Sequence, residues 1–319
     1  MKKFVFCIAI LCSFKVFAQS VTSGNCGPKD ENGDYTSNCT WSYDAKTHTL
    51  NFTGDGYMAE GFGASQDPDT GGWRTNAPWR DLDSQIYHVN VGGNLKNIGG
   101  CSIYSFSKLQ DLNITAPIEW FGQEVFAHLR DFEIPSTVKT IGAMGLAYTT
   151  VDALIIPDSV KTIKAYAFEY AQATSIVLGN SVTGIAENAF VGTNDSLKIF
   201  CEDTSENRCY NLISEKNADY ADKITKYTRD ENGFYHTEDG KLFATADLMA
   251  HDTACASAQN CKDVLAAIGQ NAPFRVGGKS YNSLTDIAKG NYVEAKRIYT
   301  VDEANTAAGK KNKVMIRYR

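Results

Sequence analysis

Little in this 319-residue chain speaks for chemistry. Its five histidines, His48, His88, His128, His236 and His251, are scattered and stand in no recognisable motif. There is no G-x-S-x-G, no H-E-x-x-H and no P-loop, so the short signatures of a nucleophile, a zinc site or a phosphate cradle are missing. Distant residues can still assemble a catalytic pair, and Cys101 with His128, one repeat apart, comes nearest. Cys101 falls where small residues are expected to be buried, which argues for an inert thiol. No cysteine pair has zinc-knuckle spacing with a histidine alongside. Asp30-Glu-Asn32-Gly-Asp34 and Asp67-Pro-Asp69-Thr-Gly71 open like calcium loops. Trp41 and Pro78 stand where the closing glutamate is required, so both read as acidic turns. Neither an enzyme nor a bound cofactor or metal is expected.

Long hydrophobic runs are also lacking. The apolar stretch FVFCIAIL is too short to span a bilayer. With Lys2 and Lys3 before it and Val16-Phe17-Ala18 after it, residues 1–18 read as a secretory signal cleaved near Ala18. The step Ala9-Ile10-Leu11 is a poor lipidation signal for Cys12. Positive charge is in deficit: 31 Lys and Arg face 37 Asp and Glu, and removing the three leader lysines takes the formal charge from −6 to −9. Nucleic acid is therefore not an expected partner. The C-terminal cations Lys310, Lys311, Lys313, Arg317 and Arg319 read as a solvated strand end. Seven cysteines follow the leader. Cys26 with Cys39, Cys201 with Cys209, and Cys255 with Cys261 lie close enough to form local disulfides in an exported chain. Each would contribute about 2–3 kcal/mol. Cys101 is left over as a buried thiol.

What the chain does have is a repeat. Between Asp131 and Val191 it reads DFEIPSTVKTIGAMGL, ALIIPDSVKTIKAYAF and SIVLGNSVTGIAENAF. Apolar anchors recur at Ile134, Val138, Ile141 and Leu146, then at Ile156, Val160, Ile163 and Phe168, then at Leu178, Val182, Ile185 and Phe190. Their offsets are 0, +4, +7 and +12, and each set begins 22 residues after the last. The same offsets start at Ile114, 20 residues before Ile134, and at Val91, 23 residues before that. A period in the twenties is the mark of a solenoid, whose units bury their apolar faces only by stacking. A second apolar residue two places ahead of each anchor (Val89, Leu112, Phe132, Leu154, Ile176) gives the alternation of a half-buried strand. Leu197 and Ile199 are expected to form a sixth strand.

The phrases IPSTVKTIGAMGLAY and IPDSVKTIKAYAFEYA resemble the BspA-like leucine-rich repeats of bacterial surface proteins, over residues 83–202. The resemblance implies an α/β-type repeat solenoid, with short parallel strands, turns and short helices at the Ala-Phe step. The first two units depart from the pattern, with Gly92 and Ala116-Pro117 near the proline slot. Around the repeats, residues 19–82 are expected to form an N-terminal β cap, with a hairpin turning at Asp44–His48. Residues 203–228 are expected to close the stack with a helix and a returning strand. Residues 229–319 read as a small α+β module of unassigned role, with a hairpin turning at Glu238–Gly240, a helix at CKDVLAAIGQ, two strands meeting near Gly277, and a further helix and strand at the end.

Function then falls to surface. Residues between the paired anchors should point outward in register, as a column of Asn90, Asn113, Glu133, Ile155, Val177 and Lys198. Ile155 and Val177 would be its apolar centre, unless the C-terminal module or a second copy packs there. Trp120 stands where other units carry Thr140, Thr162 and Gly184, either as an exposed hot spot or as a filled gap. The expected role is a non-catalytic binding scaffold of the secreted or surface fraction, and the family resemblance implies adhesion to proteins of a host or neighbouring cell. The alternatives are glycan binding through Trp73, Trp79 and Trp120, an enzyme site around His236 or His251, and a purely structural envelope component. Trp73 and Trp79 read first as packing in the cap.

Overall fold

A computed structural model describes residues 22–126, 129, 132–205, 207–277 and 279–293. The leader with Cys12, the residues His128 and Asp131, and the C-terminal helix, strand and cations lie outside the described residues.

The hairpin expected near the N-terminus is present. β1 (Ser23–Asn25), β2 (Thr40–Asp44) and β3 (Thr49–Thr53) form an antiparallel meander with Trp41 opposite Phe52 and Tyr43 opposite Leu50. β3 then does something the sequence did not announce. It pairs in parallel with β7 (His88–Val91), and the two-residue β4 (Asp55–Gly56) pairs in parallel with β8 (Asn94–Leu95). Stacking thus begins well before residue 83. Between them β5 (Ala64–Gln66) and β6 (Trp73–Thr75) close a small hairpin, and a 3₁₀ turn spans Arg80–Gln85.

Most repeats contribute a strand to each of two faces, but the strand expected at Phe132 and Ile134 is not formed. One face holds β7, β10 (Asp111–Ile114), β13 (Ala153–Ile155), β15 (Ser175–Leu178) and β17 (Lys198–Glu202), and β10 and β13 belong to different sheets. The other holds β9 (Asn97–Ile98), β11 (Trp120–Phe121), β12 (Thr140–Ile141), β14 (Thr162–Ile163) and β16 (Gly184–Ile185). This second face is one unbroken parallel ladder with Ile98, Phe121, Ile141, Ile163 and Ile185 in register. The result is a β-solenoid of about six turns. Its core runs continuously from Cys26 to Ile213 and takes in every anchor set. Phe168 and Phe190, one turn apart, stack with ring centroids 5.3 Å apart. Turns approach so closely that a Cβ on Gly142 would lie 2.3 Å from the Phe121 carbonyl oxygen, which accounts for the glycine in the Thr-Ile-Gly step.

The expected α/β character needs correcting: the repeats are strand-rich, and the Ala-Phe step is built of turns. Met144, Tyr148, Tyr166, Tyr170 and Asn188 all have positive φ. A left-handed residue every few positions interrupts helical dihedrals before a full turn can form.

After β17, α1 (Arg208–Ser214) covers the last turn, held by the Cys201–Cys209 disulfide. β18 (Ile224–Arg229) returns parallel to β17, and β19 (Tyr235–Thr237) and β20 (Leu242–Phe243) continue the same sheet antiparallel. The C-terminal hairpin therefore extends the solenoid's sheet. α2 (Ala246–Ala250), α3 (Ala258–Ala267), the hairpin of β21 (Phe274–Val276) with β22 (Lys279–Tyr281), and α4 (Leu284–Lys289) follow. They share a small separate core around Phe234, Val264 and Ile287. Ser257 and Ser283 cap α3 and α4 through their hydroxyl oxygens, which satisfies N–H groups left free at a helix start.

Candidate binding surfaces

The structure divides the expected column into a free half and a covered half. Asn90 and Asn113 are neighbours in register on β7 and β10. Asn90 is half-buried and its Nδ2 donates to Asn51 Oδ1 at 2.9 Å, so an asparagine ladder begins on β3. Asn113 and Glu133 are exposed. Beside them His88 Nδ1 meets Asp111 Oδ2 at 2.6 Å across the same two strands.

The apolar centre is not free. Val177 is 2% exposed and packs with Phe200, Tyr227, Phe243 and Met249, with Ile155 against the same cluster. α2 lies over β13 and β15, and Ser175 Oγ donates to the Ala250 carbonyl at 2.9 Å. Side chains that looked outward on the isolated sheet are thus the floor of a second core. Lys198 also needs correcting. It pairs with Ser175, and the residue beside Val177 is Phe200. The anchor of the sixth strand is Cys201, 23 residues after Leu178. Because side chains alternate with period two, a two-residue slip keeps the face and shifts the column. Lys198 is exposed, one column away from the predicted one.

Trp120 lies on the opposite face, in register with Asn97 and Thr140. It is half-buried beneath the N-terminal segment: its Nε1 donates to Glu60 Oε1 at 2.7 Å, and its ring sits 5.4 Å from that of Tyr57. The column and Trp120 are therefore not one site. Of the other indoles, Trp79 is fully buried, donates to the Ser102 carbonyl and packs edge-on against Trp41, Phe52 and Phe62. Trp73 is 56% exposed, at the rim of a cleft of about 330 Å³ lined also by Glu60, Cys101, Gln123 and Glu124.

Titratable groups are employed locally. Burial, with Glu124 beside it, pushes the Cys101 thiol up to about 12. The Arg74 guanidinium holds the Asp67 carboxyl well below the usual carboxylate range, helped by the Thr70 and Asp69 N–H groups. This acidic turn thus serves its own loop. His236 faces Asp230 at 3.0 Å and His251 lies beside Asp247, with nearly half of each imidazole exposed, so no deep pocket encloses either. Among the described residues no group of three or more His, Cys, Asp and Glu side chains is placed to hold a metal, and no helix is long and apolar enough to cross a membrane. The three expected disulfides join Cys26 to Cys39, Cys201 to Cys209 and Cys255 to Cys261, and Cys101 is free and buried.

A family model described as a BspA type leucine rich repeat region, in six copies, matches residues 83–173 and 139–227. No curated protein matches. Among solved structures, a leucine-rich repeat protein from Eubacterium ventriosum is similar at 18% identity and TM-score 0.41, covering 64% of this chain and 47% of that one. One from Bacteroides ovatus gives 13% identity and TM-score 0.30, covering 54% and 62%. A leucine rich cell surface protein from Faecalibacterium prausnitzii gives 13% and 0.28, covering 64% and 58%. The chain spans less than two thirds of the length of each.

Proposed function

Taking as premise that residues 83–227 belong to the BspA type leucine rich repeat family, we propose that this chain is an exported, non-catalytic scaffold that binds proteins of a host or neighbouring cell. Residues 1–18 are its leader, 19–82 cap the stack, 83–202 are the repeats, 203–228 close them, and 229–319 form an appended module. The observation that carries the reading is the parallel register of the stacked strands, unbroken on the second face and interrupted on the first only between β10 and β13, which repeats surface positions from turn to turn. Such a surface suits an extended partner better than a small molecule. Its free part is the N-terminal half of the first face, at Asn90, Asn113 and Glu133. A protonated Cys101 thiol and surface histidines support a role without catalysis.

The test is saturable binding of the mature chain to a panel of extracellular matrix and bacterial surface proteins, repeated with Asn113→Arg plus Glu133→Arg. The double variant should weaken any hit about tenfold at unchanged Tm, as for a contact worth about 1.4 kcal/mol. Absence of any saturable binder overturns the reading. Glycan binding stands as a second reading because Trp73 presents an exposed ring beside two carboxylates and an amide, and a glycan array with Trp73→Ala decides it.

A further inference from the structure

Among the described residues the first face of the solenoid has a gap. β10 is the last strand of one sheet and β13 the first of the next. The strand that should lie between them, one turn on from β10, ends at Ile134. Yet Phe132–Pro135 makes no backbone hydrogen bond to β10 or β13 among the described residues. The opposite face runs through the same units unbroken, and Ile134 remains in the common core. The unit leading to Ile134 is short, at 20 residues against 22 or 23 elsewhere. A coil with fewer residues has less chain to lay alongside its neighbour once its anchors are buried.

The gap is a cleft of about 760 Å³ between β10 and residues 132–136. The Asp111 and Thr115 N–H groups donate to the Tyr87 and Val91 carbonyls of the preceding turn. Since alternate residues of a strand direct their backbone groups to opposite edges, Leu112 and Ile114 aim theirs into the cleft. Half-buried Leu112, Ile114 and Phe132 supply apolar walls, and the exposed carboxylates of Asp111 and Glu133 stand at the mouth. Among the described residues no Lys or Arg lines it.

We infer that this cleft accepts an added strand: an extended peptide segment of alternating apolar and cationic residues pairs with the open edge of β10. The inference rests on the scaffold reading and names the mode and chemistry of the partner. Backbone groups of Leu112 and Ile114 supply the pairing, as in other strand additions to a sheet edge. The apolar residues cover Leu112, Ile114 and Phe132, and the cations reach Asp111 and Glu133. The choice of a cationic partner follows from the two carboxylates at the mouth of a chain whose formal charge is −6, since complementary charge selects the partner and speeds its encounter.

The test uses the full mature chain and a capped eight-residue peptide alternating Val and Lys. Controls are the same peptide with Glu for Lys, and one with alternate backbone amides N-methylated. The Val-Lys peptide should bind saturably, with both controls at least tenfold weaker and affinity falling as salt rises. The Leu112 and Ile114 amides should exchange rapidly in the free chain and at least tenfold more slowly at saturation. Leu112→Pro removes an N–H that faces the cleft and spares the ladder to β7, so it should bind at least tenfold more weakly than Leu112→Ala. Equal binding of the Glu peptide, equal binding by the Pro and Ala variants, or no binding of the Val-Lys peptide overturns the inference. So do amides already protected in the free chain, which would mean a second copy or another segment of this chain fills the edge. The exchange measurement decides even where Leu112→Pro does not fold. Capture of whole proteins judges the scaffold reading and the synthetic peptide judges this one, so either can fall alone.

Discussion

At the scale of single residues, environment overrides residue type. Cys101 is the one free thiol among the described residues, and burial beside Glu124 keeps it protonated with a pKa of about 12. Since the thiolate is the reactive species, Cys101 should resist iodoacetamide at pH 8 in the folded chain and be alkylated after denaturation, as mass spectrometry would show. Asp67 gives the opposite shift. Its carboxyl accepts from Arg74 Nη1 at 2.7 Å and from the Thr70 and Asp69 N–H groups, which lowers its pKa on folding. A depressed folded value stabilises above the unfolded value of about 4 and loses that effect as pH falls toward the folded one. The Tm of the wild type should exceed that of Asp67→Asn at pH 7, and the difference should close below pH ~4. An unchanged difference in acid would sink the linkage. The local turn around Asp67 was legible in DPDTGGWR, but its contact with Arg74 was not, because Arg74 reaches it only after the β5–β6 hairpin has closed.

At the scale of elements, the question is which faces remain free. Val177 lies under α2, so Val177→Asp buries an unpaired carboxylate and should cost about 3 kcal/mol or more. Glu133→Lys on the open half should change stability by under about 0.5 kcal/mol. Urea unfolding of the two variants compares them directly, and a mild Val177→Asp would mean α2 does not cover the sheet. Phe168 stacks on Phe190 inside the turns, so Phe168→Ala should lose about 3–5 kcal/mol in the same assay. The Cys201–Cys209 bridge ties the start of β17's exit to α1, and its replacement by two serines should cost about 2–3 kcal/mol. The strands other than the one expected at Phe132 and Ile134 were readable from the offsets, since apolar residues at period two mark a half-buried strand. Lys198 was misplaced because period two leaves the face unchanged by a two-residue slip, and only pairing with Ser175 decides the register.

At the scale of the whole molecule, the second core joins the solenoid to β18, β20 and α2. Ending the chain after Arg229 should uncover Ile155, Val177 and Phe200 and give a species that binds ANS and self-associates by light scattering. A monodisperse truncated chain that ignores the dye would show that the covering is dispensable. The repeat was determined by the sequence alone, because stacking demands the same apolar residues at the same offsets in every turn. The disulfide pairs were legible for a related reason, each closing a short local loop. What covers the face was decided only by tertiary structure. α2 is five residues long and carries no periodic signal of its own, and its position follows from β18, β19 and β20 extending the sheet. The gap beside β10 is likewise a tertiary outcome: the 20-residue spacing was in view, but whether a short coil strains, skips a strand or slips in register depends on the neighbours against which it must pack.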